Sequence, residues 1–118
     1  MTEVSIKQKR DDYSQALDSA LRKIVIQLSE IPEIERVLLF GSYATGRRDL
    51  FTDLDLLVVM DSEQDFIHRT AELYAKIHTD VDMDLLVYTP DELVKNRENS
   101  FIRRVLETGK VVYEKKPA

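Results

Sequence analysis

The chain has 118 residues, 43% hydrophobic and 33% charged, with a formal net charge of -5. That length supports one domain with a core of its own, and the acidic balance argues against non-specific nucleic-acid binding, which wants a basic face. There is no cysteine, so disulfides, thiolate metal sites and a cysteine nucleophile are excluded. No apolar run approaches the roughly 18 residues of a membrane span, and no signal peptide precedes the first element, so a cytoplasmic location is expected.

From Ser5 to Leu28 the apolar residues Ile6, Tyr13, Ala16, Leu17, Ala20, Leu21, Ile24, Val25 and Leu28 recur at helical spacing, which predicts one long helix with a single apolar stripe. Pro32 ends it. Val37 to Phe40 is a short apolar run closed by Gly41 and reads as a buried strand. Ser42 to Gly46 reads as a turn of helix with Ser42 as N-cap and Gly46 as terminator, and residues 47–52 form a loop. Asp53 to Met60 is the clearest strand. Leu54, Leu56 and Val58 alternate with Leu57 and Val59, the pattern of a central strand covered on both faces.

Phe66 to Ile77 predicts a second helix, with Phe66, Ile67, Thr70, Leu73, Tyr74 and Ile77 as its buried stripe. Val81 to Tyr88 is a third strand. Thr89-Pro90-Asp91-Glu92 has the form of a capping box with proline at the first helical position. A last helix spans Ser100 to Thr108, stopped by Gly109, and Val111 to Tyr113 is an edge strand. Phe40 and Asp53 are linked without a crossover helix, so the first two strands are expected to be antiparallel. The helix before the third strand permits a parallel pair there. The expectation is an α/β (α+β) fold, a small mixed sheet with helices packed on it. It forms one domain over 1–118: helix 5–28, core 34–113, tail 114–118.

The chemistry centres on Gly41-Ser42 and Asp53-Leu54-Asp55. Asp53 and Asp55 share one strand face. Asp80, Asp82 and Asp84 share a parity in the third strand, so one of them can face that pair if the strands are neighbours. Converging carboxylates bind one or two divalent cations. With only His68 and His78 available, any ligand set is oxygen, which suits magnesium, manganese or calcium. Gly41 lets a phosphate approach the backbone closely. Arg47 and Arg48 are read either as solvated loop charges or as phosphate contacts. Asp-x-Asp and Gly-Ser are, each alone, ordinary turn chemistry.

The combination is more specific. Gly41-Ser42, ten residues, then Asp53-x-Asp55 resembles the signature of the polymerase-β-type nucleotidyltransferase superfamily. Phe-Gly-Ser-Tyr-Ala-x-Gly, Thr-Asp-Leu-Asp-Leu-Leu-Val, Asp84 through Leu93 and the closing Gly-x-Val-Val-Tyr are similar to its minimal, kanamycin-nucleotidyltransferase-like branch. The resemblance covers about Ile34 to Tyr113. It implies that Asp53, Asp55 and Asp84 are the catalytic and metal-binding carboxylates, the first two holding magnesium and Asp84 activating an acceptor hydroxyl, with Asp82 as runner-up. Gly41 and Ser42 match the triphosphate-binding turn. Thr52 stands where the family usually has serine and keeps the hydroxyl. Thr45 stands where it usually has arginine, a lost phosphate contact that Arg47 or Arg48 would replace as nucleotide-binding residues.

The resemblance further implies an ATP-dependent transfer of AMP onto a HEPN-type helical partner, as antitoxin of a toxin–antitoxin pair, since no acceptor-binding lobe is visible in the chain. A contact-only antitoxin and a transferase acting on a small molecule are the alternatives. A homo-oligomer is the other way to complete the site.

Overall fold

The computed structural model describes residues 3–49 and 52–117. In chain order the elements are α1 (Glu3–Ser29), β1 (Ile34–Phe40), α2 (Gly41–Ala44), β2 (Leu54–Met60), α3 (Phe66–Lys76), β3 (Met83–Tyr88), α4 (Pro90–Lys95), α5 (Ser100–Thr108) and β4 (Lys110–Glu114). The strands make one four-stranded sheet in the order β3-β2-β1-β4. As expected from their short link, β1 and β2 are antiparallel, and β2 and β3 form the parallel pair that α3 permits. β4 adds an antiparallel edge to β1.

Strand parity divides the core. Val37, Leu39, Leu54, Leu56, Val58, Leu85 and Val87 point to one face, where Leu17, Ile24 and Leu28 of α1 and Leu73 of α3 cover them. Leu38, Leu57 and Val59 point to the other and meet Leu93 of α4 and Ile102 and Val105 of α5. Burying each such side chain contributes about 1.5–3 kcal/mol. The central strand is covered on both faces, as its apolar run requires.

Several boundaries and faces differ from the sequence expectation. β1 starts three residues early because Ile34 pairs with Met60 and is fully buried. β3 starts later, at Met83. Ser42 is not an N-cap: α2 begins at Gly41 with Phe40 as its cap residue and no side-chain cap bond. On α3, Ile67 is 76% exposed while Arg69 is only 3% exposed. Arg69 is tolerated inside because each nitrogen of its guanidinium has a partner, donating to the carbonyls of Val87 and Gln64 and pairing with Glu92. Lys115, assigned to the tail, is tied down through its N–H to Glu35 O at 2.8 Å and its Nζ to Pro32 O at 2.7 Å.

Candidate active site

Three chain segments meet where β1 ends and β2 and β3 begin. Asp55 lies opposite Phe40 on one side and opposite Asp84 on the other. By parity with Leu57 and Val59, and with Tyr88, the two carboxylates are on the sheet face that α4 and α5 partly cover. Gly41 follows directly, with φ of +77°. A Cβ placed there would sit 2.1 Å from Asp55 Oδ2. Only glycine allows both this backbone conformation and this approach.

The side chains of Asp55 and Asp84 are within hydrogen-bonding reach. Burial first, then the Asp84 carboxyl and the charge of Asp53, push Asp55 up to about 6. Two adjacent carboxylates repel each other when both are ionised, which favours the protonated form of Asp55. Asp53 is half-buried at the start of β2, and Asp82 and Asp84 are exposed. The Leu54 N–H donates to Asp82 O at 3.2 Å, which carries the parallel register back to Asp53 and Asp82.

The loop and α1 brace this edge. Thr52 is fully buried, its hydroxyl accepting from the Asp49 N–H at 3.0 Å. Tyr13 of α1 donates to Thr52 O at 2.9 Å. Burial, followed by the charges of Asp53, Asp82 and Asp49, raises the Tyr13 phenol above its ordinary value. Arg48 stacks over the Tyr43 ring at 3.6 Å, donates to Tyr43 O at 2.9 Å and approaches Asp18 at 3.8 Å. The Tyr43 hydroxyl also bonds to Asp18. Arg47 pairs with Asp49 at 2.6 Å. Both arginines therefore have partners within the loop and α1. Tyr13, Asp18 and Tyr43, which periodicity marks only as helix or turn residues, form this brace. No sequence signal links Asp18 to Tyr43, because their contact spans 25 residues.

Whether these residues suit a dication can be judged from their chemistry. The donors are all oxygen, and the Asp55 and Asp84 carboxyls lie side by side where a cation could neutralise both, so the pair fits magnesium. Among the described residues no three acidic or imidazole groups are gathered into a finished cage. Asp53, two residues before Asp55 on the same strand face, lies near enough for its charge to act on Asp55.

Comparison with known proteins bears on the activity. Residues 22–118 match the family described as Polymerase beta, Nucleotidyltransferase. A Methanocaldococcus jannaschii protein named "Putative protein adenylyltransferase MJ0604" is 35% identical over 82 residues, covering 68% of this chain and 79% of its own. A solved structure of a mutant toxin–antitoxin MntA–HpeT aligns with TM-score 0.57 and 27% identity over 81% of this chain and 73% of that one. A toxin–antitoxin structure with AMP-PNP aligns with TM-score 0.52 and 26% identity over 80% and 73%. The match spans the glycine turn and Asp53, Asp55, Asp82 and Asp84, and the chain belongs to the polymerase-β nucleotidyltransferase family, whose fold and nucleotidyl-transfer activity it shares.

Proposed function

We propose that the chain transfers AMP from ATP onto a hydroxyl of a small helical HEPN-type partner, and that this modification neutralises the partner as a toxin. The observation that carries the reading is the juxtaposition of Asp55 and Asp84 in parallel register with Gly41 backed against them. The relative named for protein adenylylation and the toxin–antitoxin structures, one with AMP-PNP, support the donor and the kind of acceptor.

Asp53, Asp55 and Asp84 are the residues that would hold magnesium, which when bound offsets triphosphate charge and acidifies a hydroxyl. Gly41, bare of a side chain, leaves backbone open to the phosphates, with Ser42 beside it. Asp84, at the exposed rim, accepts the proton of the acceptor hydroxyl. As that oxygen bonds to the α-phosphorus, the bond to the bridging oxygen breaks and pyrophosphate leaves. Arg48 acts by fixing Tyr43 behind the turn, and Arg47 by holding Asp49 in the loop.

The test is magnesium- and ATP-dependent labelling of the co-expressed partner, followed by intact mass. An AMP-sized increment is expected with the wild-type chain and none with Asp53→Asn or Asp55→Asn. Labelling that survives both changes would overturn the reading. Thr45 favours a second reading, a binding module that acts by contact alone. In that case an Asp53→Ala chain mixed at equal amounts would still neutralise the partner.

A further inference from the structure

A cavity of about 500 Å³ lies between α5 and the turn after β1, walled by Phe40, Gly41, Thr45, Phe101, Arg104 and Thr108 among others. Its volume is within the range of small-molecule sites. It opens on the side of the sheet that carries Asp55 and Asp84, because α5 packs on Leu38 and Leu57 of that face. Phe101, Arg104 and Thr108 are spaced three and four residues apart, so a single stripe of α5 looks into it. Phe40 and Phe101 meet edge to face at 5.8 Å and form an aromatic wall.

The positive charge in this cavity is not where sequence comparison would place it. Thr45 has a single hydroxyl proton, and its hydroxyl is spent on the Ser42 carbonyl at 3.0 Å. Arg47 and Arg48 are held by Asp49, Tyr43 and Asp18. Arg103, the neighbour of Arg104, pairs with Glu98. Arg104 is the basic side chain of the cavity wall. It is exposed, and among the described residues no ion pair engages its guanidinium.

Building on the reading above, we infer that Arg104 is the phosphate-binding cation of the nucleotide site, serving from α5 the contact that Thr45 cannot make across the same cavity. A guanidinium bonds phosphate oxygens in pairs. The aromatic wall beside it suits a purine, so the cavity takes a nucleoside triphosphate whose phosphates run from Arg104 toward Gly41. Arg104 is a binding residue and takes no part in proton transfer.

The experiment is calorimetric titration of the full chain, with magnesium, against AMP-PNP and separately against adenosine. Arg104→Ala is expected to weaken AMP-PNP about tenfold or more, the worth of a charged hydrogen bond, and to leave adenosine unchanged. Arg104→Lys, which keeps the charge but not the fork, is expected to fall between. Because Arg104 is exposed, both variants should keep the wild-type circular dichroism and melting temperature. Wild-type affinity for AMP-PNP in Arg104→Ala, or an equal loss for adenosine, overturns the inference while leaving the proposed transfer intact. A wild-type chain that binds no AMP-PNP overturns both.

Discussion

At the scale of single residues, Asp55 is held against its own preference. Its carboxyl is backed by Gly41 and faces Asp84, and it retains a proton up to about 6, well above the value it has in an unfolded chain. The folded state therefore binds this proton more tightly. The resulting stabilisation is complete below about pH 4 and is lost as pH rises through about 6. Asp55→Asn has no such charge to bury. In the absence of divalent ions its stability should match wild type near pH 4 and exceed it by about 1 kcal/mol at pH 7, after allowance for solvent screening, as read by urea titration at the two pH values. Added magnesium at neutral pH should raise the melting temperature of wild type and not that of Asp55→Asn. Gly41→Ala makes a different demand. With φ of +77° and a Cβ contact of 2.1 Å to Asp55, it should cost about 1–3 kcal/mol and displace the carboxylate. Its kcat/KM should fall by about 100-fold, measured by partner labelling.

The elements show which parts of this structure were legible in the sequence. Thr89-Pro90-Asp91-Glu92 was readable because a capping box is local: Glu92 accepts from the Thr89 N–H at 2.9 Å, and Thr89 Oγ1 accepts from the Glu92 N–H at 3.2 Å. The last helix ended at Gly109 as expected, for the same reason. Arg69 was not readable. A charged residue in a helical pattern looks solvated, and its burial depends on Glu92, 23 residues later. Glu92 thus closes a helix start and neutralises a buried guanidinium with one carboxylate. Its carboxyl is held below the usual range, first by the bond to Arg69. Thr89→Ala should cost about 1 kcal/mol. Arg69→Ala, which strips the partner from Glu92 and empties an interior site, should cost about 3–5 kcal/mol. Urea denaturation of the two variants separates the effects.

For the whole molecule, the antiparallel pairing of β1 with β2 followed from the short link between them and α3 allowed a parallel β2–β3 pair, whereas the order β3-β2-β1-β4 had to come from the structure. Residue parity allowed one of Asp80, Asp82 and Asp84 to face Asp55, the resemblance singled out Asp84, and the β2–β3 register places it there. What could not be read was how side chains close the site, since the Asp18–Tyr43–Arg48 brace and the wall of α5 depend on contacts far apart in the chain. The division of the core by strand parity has a practical consequence. The larger cluster, which includes the fully buried Ile24, is separated from the carboxylates by the thickness of the sheet. Ile24→Val should lower stability by about 0.5–1.5 kcal/mol with AMP-PNP affinity unchanged by calorimetry. Such a chain can be made sturdier or more fragile from its back, as a blade can be rehandled without touching its edge.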